Sequence, residues 1–147
     1  MERTLLLVKP DAVMRGLVGK IIARFEEKGF KILGLKFLWM SRAQAEELYK
    51  PHVGKSFYEP TVKYMTSSPI TAMVLEGYDC ISQVRTLMGA TRPVEAVPGS
   101  IRGDFAQRVD RNAVHGSDSA ESAAREIPIF FKDDEIVKYT HHVEAWI

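Results

Sequence analysis

Residues 18–40 read VGKIIARFEEKGFKILGLKFLWM, and within this stretch the spacing of apolar residues changes period. Val18, Ile21, Ile22 and Phe25 recur at helical spacing, while Lys20, Arg24, Glu26, Glu27 and Lys28 fall on the opposite face. Gly29 stands where a helix C-cap belongs. From Phe30 to Met40 the pattern turns strand-like, with Lys31 and Lys36 set among Ile32, Leu33, Leu35, Phe37 and Trp39. A helix followed by a long strand across one glycine starts an α+β alternation, and the rest of the chain continues it.

Upstream, Thr4–Val8 is a short, branched, apolar run that predicts a buried strand, stopped by Pro10. Downstream, Ser41 and Gln44 have the spacing of a capping box, so a helix should run to Tyr49 before Pro51 breaks it. A second short helix is predicted over Phe57–Thr66, a turn at Ser67-Ser68-Pro69, and a third strand over Ile70–Glu76. Asp79 can cap a helix ending at Gly89. Thr91–Asp104, with Pro93, Pro98, Gly99 and Gly103, reads as a long loop, and long loops in compact domains are usually functional. A brief strand over Arg111–His115 and a helix over Ala120–Ile127 follow. After Pro128, the tail Ile129–Ile147 keeps enough apolar and aromatic residues that it should pack. The order β-α-β-(αα)-β-α-β-α, with the αα pair taken as one excursion, predicts an α+β, ferredoxin-like βαββαβ sandwich. Its sheet would be four-stranded and antiparallel with helices packed on one face, in a single domain spanning 1–147.

A composition of 46% apolar and 27% charged residues is that of an ordinary globular protein. The net charge of +1 supplies no global field for nucleic acid or an anionic membrane, so neither partner is expected and any anion site must be built locally. The single Cys80 cannot form an internal disulfide, which points to a reducing cytoplasm. The opening apolar run is too short for a signal peptide or a membrane span.

Chemistry concentrates at Asn112-Ala113-Val114-His115-Gly116-Ser117-Asp118-Ser119. A histidine ends a strand, a glycine permits a sharp turn, and small polar residues open a helix. Ser117, Asp118 and Ser119 are all suitable N-caps, and Glu121 could close a capping box from Asp118. A helix N-terminus offers free N–H groups and partial positive charge to a phosphate. Glu126 lies two turns along the same face, where its carboxylate could orient the imidazole and make it a competent nucleophile.

This octapeptide resembles the active-site signature of the nucleoside diphosphate kinases, and the resemblance extends along the chain. Arg3-Thr4-Leu5, Lys9-Pro10-Asp11, Arg15-Gly16-Leu17-Val18-Gly19, Arg24-Phe25-Glu26, Gly89-Ala90-Thr91, the run from Pro98 to Phe105, and Glu121-Ser122-Ala123 are also similar to that family. The resemblance implies a kinase that passes the γ-phosphate of a nucleoside triphosphate, typically ATP, to a nucleoside diphosphate in a ping-pong cycle. His115 would carry the phosphate on its pros nitrogen. Lys9, Arg85, Thr91 and Arg102 would hold phosphates, Asn112 the sugar and phosphate region, and Tyr49 would line the nucleotide, with His52 nearby. Phe57 would stack on the base with Val109 on its other side. A base read by its π-face implies broad base specificity. Ser117 and Glu126 would support His115. Mg²⁺ would arrive on the nucleotide phosphates, with Asp118 the nearest candidate for a water-mediated contact. Taken singly, Arg85 reads as a solvated helix charge, Phe57 as core, Lys9 as a strand-end charge and Tyr49 as packing.

Two features depart from the family pattern: Thr61 stands at a usually apolar position near the base, and Glu59-Pro60 replaces small residues. The His141-His142 pair has no partner ligand at sensible spacing for a metal. A P-loop kinase is excluded because Gly16-Leu17-Val18-Gly19-Lys20-Ile21 has the wrong spacing and lacks the hydroxyl. An RNA-recognition module would need strand aromatics in a Lys/Arg-Gly-Phe/Tyr-type run, and no such run is present. The resemblance also implies assembly: dimers joined through the second strand, Pro93 at trimer contacts, and a tail ending at Trp146-Ile147 like those of hexameric members. A homohexamer is therefore expected, with a homotetramer as the alternative.

Overall fold

The computed structural model describes residues 1–147. Four strands, β1 (Glu2–Val8), β2 (Lys31–Leu38), β3 (Ile70–Gly77) and β4 (Val114–Gly116), form one antiparallel sheet in the order β2-β3-β1-β4. Seven α-helices join them: α1 (Pro10–Met14), α2 (Val18–Lys28), α3 (Arg42–Leu48), α4 (Tyr58–Met65), α5 (Cys80–Met88), α6 (Ile101–Phe105) and α7 (Ala120–Phe130). The split βαβ topology read from the sequence is the one observed.

The helices cover both faces of the sheet, which corrects the expectation of one. Leu5, Leu6, Leu7 and Val8 are all fully buried. Leu6 and Val8 pack with Ile21, Phe25, Met73, Val84 and Met88, while Leu5 and Leu7 pack with Leu48, Val62, Met65, Val74 and Phe130. The unbroken apolar run in β1 is therefore what a strand buried on both sides needs. Each such leucine contributes about 2 kcal/mol by leaving water.

Local rules account for several element ends. Gly29 closes α2 with φ 99°, and Ser41 and Gln44 form the reciprocal capping box at α3. Other ends differ from the sequence reading. Pro10 does more than stop β1, because it starts α1 at the first helical position, where its missing N–H is harmless. Asp79 makes no side-chain cap; Glu2 instead accepts the Ile81 N–H of α5 at 3.1 Å. The 91–104 segment is not all loop. It carries a 3₁₀ turn over Pro93–Glu95 and the start of α6, whose cap Ser100 accepts the Gly103 N–H at 3.0 Å. Pro128 lies inside α7, where buried Phe130 and Phe131 and a 2.8 Å bond from Lys36 to the Phe130 carbonyl hold the last turn.

The tail does pack. Val137 N–H donates to the Leu33 carbonyl and the Tyr139 hydroxyl to that of Ile32, covering one end of β2. Leu35 and Phe37 on the same edge strand, and Trp39 just beyond its end, remain exposed.

Candidate active site

The short strand β4 brings His115 into the sheet opposite Leu7. It begins at Val114 rather than Arg111, because Ala113 is left-handed (φ 72°) and cannot extend the ladder. Gly116 follows, and a Cβ there would meet the Met88 sulfur at 2.4 Å, so only glycine lets β4 pass α5. Ser119 rather than Asp118 caps α7, accepting the Ser122 N–H at 3.0 Å. The expected Asp118–Glu121 box is replaced by a 2.6 Å bond from the Ser122 hydroxyl to Asp118.

His115 and Glu126 meet as their spacing predicts. His115 Nε2 lies 2.8 Å from Glu126 Oε1, and the Ser117 hydroxyl donates to the same oxygen at 2.8 Å. A carboxylate only accepts, so Nε2 is the donor to Glu126, and Nδ1 is the nitrogen that holds the lone pair whenever the ring is neutral. Burial pushes the Glu126 carboxyl up, but the hydrogen bond and charge of His115, then Ser117 and Arg125, outweigh it and hold the group below the usual carboxylate range. An imidazole whose Nε2–H is held by a buried carboxylate has Nδ1 left as its candidate nucleophile.

Cations gather beside it. Arg102 is buried and donates to the carbonyls of Asn112, Gly89 and Val114 at 3.1, 3.1 and 2.8 Å, leaving further N–H groups for a ligand. Arg85 donates to the Gly116 carbonyl at 3.0 Å. Lys9 donates to Asn112 Oδ1 at 2.8 Å, and Asn112 donates to the Thr91 carbonyl at 3.0 Å. Burial, then the Arg102 charge, lowers the Lys9 ammonium to about 7, with Asp11 opposing. Burial and Arg85 lower Arg102 to about 10. A bound phosphate would offset the Arg102 charge felt by Lys9 and the Arg85 charge felt by Arg102, in the sense in which Asp11 already acts on both.

A cleft of about 790 Å³ opens next to this cluster. It gathers six of the expected residues: Lys9, Tyr49, Phe57, Thr91, Val109 and Asn112. Thr61 and Pro60, the departures, and His52 lie on the same wall. Phe57 and Val109 are 48% and 55% exposed, far from the core positions their residue types favour. His115, Arg85, Arg102, Ser117 and Glu126 do not line this cleft; they adjoin its inner end, which Lys9, Tyr49 and Asn112 form. Tyr49 links the two, with its ring edge-on to the His115 ring at 6.3 Å and its buried hydroxyl without a protein partner. Burial, then Glu126, pushes that phenol's pKa up, so it stays a donor. Asp118 is exposed near Arg85, and its carboxyl is held down by Ser122. No group of three or more His, Cys, Asp or Glu residues is placed to cage a metal.

Asp11, Tyr64 and Arg111 were given no role by the sequence. The Tyr64 hydroxyl donates to Asp11, the Arg111 guanidinium sits 4.2 Å over the Tyr64 ring, and Tyr64 and Arg111 both line the cleft. The only signal was Asp11 itself, an acid directly after Lys9-Pro10.

Comparison with known proteins shows the family and the fold. The family described as nucleoside diphosphate kinase matches residues 2–136. A nucleoside diphosphate kinase of Archaeoglobus fulgidus is 56% identical over 147 residues, covering 100% of this chain and 97% of the relative. One from Desulforamulus reducens is 53% identical, covering 100% and 99%. Among solved structures, a halophilic nucleoside diphosphate kinase from Halobacterium salinarum in complex with CDP superposes with a TM-score of 0.96 at 46% identity, covering 99% of this chain and 97% of that one.

Proposed function

Since this chain belongs to the nucleoside diphosphate kinase family, we propose that it transfers the γ-phosphate through a covalent intermediate on His115, with residues 1–147 acting as one kinase domain. The observation that carries the reading is the His115–Glu126 bond, which leaves Nδ1 as the free nucleophilic nitrogen beside three cations.

In the first half-reaction a nucleoside triphosphate lies in the cleft, its base between Phe57 and Val109 and its phosphates toward Lys9, Arg85, Thr91 and Arg102. Nδ1 attacks the γ-phosphorus, an N–P bond forms, the bond to the β-phosphate oxygen breaks, and the nucleoside diphosphate leaves. The imidazole becomes cationic, and the Glu126 carboxylate, held by Ser117, stabilises that charge through Nε2–H. A second diphosphate then takes the phosphate by the reverse path. Positioning and charge neutralisation supply most of the catalysis in phosphoryl transfer, which suits a site made of prearranged cations. The halobacterial relative solved with CDP supports the cleft as a nucleotide seat.

Mg²⁺ would be held by the nucleotide phosphates, with Asp118, whose carboxyl feels the Arg85 charge, the candidate for a water-mediated contact. When bound, it neutralises phosphate oxygens. No helix is long and apolar enough to cross a membrane, and the lone, buried Cys80 fits a cytoplasmic setting. Exposed Leu35 and Phe37 on the edge strand, with Trp39 just beyond its end, support pairing between copies, within a homohexamer built from dimers. Light scattering tests this: a hexamer mass is expected, and a monomer would overturn it.

The covalent step is tested by mixing the protein with γ-labelled ATP and removing nucleotide. The expected label is acid-labile, base-stable and discharged by an added diphosphate. No label in the wild type, or a label that persists in His115→Ala, sinks the proposal.

A further inference from the structure

Ala113 lies between Asn112, which lines the cleft, and the strand that carries His115. Its φ is 72°, and the Val114 N–H closes onto the Asn112 carbonyl at 2.8 Å. Residues 112–114 therefore form a γ-turn of the rare positive-φ hand. A residue with a Cβ is strained there and persists only where its surroundings over-determine it.

The contacts that over-determine it come from the junction of β1 and α1. The Lys9 N–H donates to the Ala113 carbonyl at 2.8 Å, and Asp11 Oδ2 accepts the Ala113 N–H at 3.2 Å. Both peptide groups of the strained residue are thus tied to one short segment. The Asp11 carboxylate is itself fixed. Its Oδ1 accepts from the Tyr64 hydroxyl, which in turn accepts the Asp11 N–H at 3.3 Å. Arg111, over the Tyr64 ring at 4.2 Å, holds the phenol in place.

Much of the site depends on this turn. The Asn112 side chain accepts from Lys9, and two of the three carbonyls that fix Arg102, those of Asn112 and Val114, flank Ala113. β4 has only three paired residues to resist a change in direction. If the turn relaxed toward extended backbone, Asn112, Arg102 and His115 would move relative to one another. We propose that Asp11, aimed by Tyr64, is a positioning residue for phosphoryl transfer: it holds the γ-turn at Ala113 and so sets how Asn112 and His115 face the nucleotide. This rests on the reading of His115 as the phosphate carrier. Asp11 also carries a charge that favours the Lys9 ammonium, and the test must separate the two effects.

Kinetics of ATP and a diphosphate acceptor, with thermal melting, are measured for Asp11→Ala, Asp11→Asn, Tyr64→Phe and the double variant Asp11→Ala/Ala113→Gly. Asp11→Ala is expected to lose about tenfold or more in kcat, since ångström-scale misplacement is costly to transfer. Tyr64→Phe, which keeps the Asp11 charge, loses about threefold. Asp11→Asn keeps an acceptor for the Ala113 N–H without the charge and stays within about threefold of wild type. The double variant runs several-fold faster than Asp11→Ala, because glycine takes positive φ without strain. A double variant no faster than Asp11→Ala overturns the proposal, as does an Asp11→Asn loss equal to that of Asp11→Ala or a wild-type kcat in Tyr64→Phe. Should Asp11→Ala not fold, Tyr64→Phe decides by the same criterion, and a tenfold or greater kcat loss in Asp11→Asn overturns the proposal. Labelling of wild type by γ-labelled ATP runs alongside. Its failure sinks both readings, whereas intact labelling without glycine rescue sinks this one alone.

Discussion

At the inner end of the cleft, Glu126, Ser117, Arg102 and Asn112 are buried and hydrogen-bonded to one another's neighbourhood through backbone carbonyls and side chains. At the outer end, Phe57 and Val109 stand about half in solvent, and the Phe57 ring lies 5.3 Å from that of His52 and 5.7 Å from Lys55 Nζ. The inner end has geometry to lose. The outer end has area to lose. A transferase that must accept several bases needs this division: the reacting atoms are held tightly, because misplacement is costly, and the base is held loosely, because edge contacts would select among bases.

The sharpest way to break the comparison is at Glu126. Glu126→Ala removes the carboxylate from His115 Nε2 and leaves the Ser117 hydroxyl without its acceptor. A fall in kcat of about a hundredfold is expected, with KM changed little, because the contact matters most when the imidazole becomes cationic. Glu126→Gln, which keeps an acceptor but not the charge, should fall between. Stopped-flow measurement of the histidine-phosphorylation step checks this. A pure KM effect would place Glu126 in nucleotide binding and remove the distinction between the ends.

The same division explains what the sequence disclosed. β1, α2, β2 and the Ser41–Gln44 box were legible because period, cap and glycine act within a few residues. The second helical layer was misjudged although β1 carried the signal, since four consecutive buried residues have no polar face to leave open. The continuation of α7 through Pro128 depends on tertiary partners, Lys36 among them, that local pattern does not contain. At the site, His115 and Glu126 were legible because strand end, glycine and helix start are contiguous. The Asp11–Tyr64 pair was not: the two residues are 53 positions apart, and Asp11 after Pro10 looks like any first-turn acid.

A smaller effect is expected at the outer end, and there the departures at Glu59-Pro60 and Thr61 must be weighed. Glu59 does not intrude on the base slot, because Arg42 holds its carboxylate in an exposed ion pair at 2.9 Å and the hydrogen bond lowers its pKa. Thr61 is half-buried on the cleft wall and brings one hydroxyl to it. One hydroxyl can bond a base edge, but it both donates and accepts, so it does not by itself choose among bases. Stacking on Phe57 should therefore dominate. Since such stacking is worth roughly 1–3 kcal/mol per base, Phe57→Ala should raise KM about tenfold, with kcat within about twofold. The increase should be alike for purine and pyrimidine diphosphates. Steady-state kinetics with one acceptor of each kind checks it. If KM rises for one class alone, the hydroxyl of Thr61 is reading an edge, and the outer end is a selective site rather than a tolerant one.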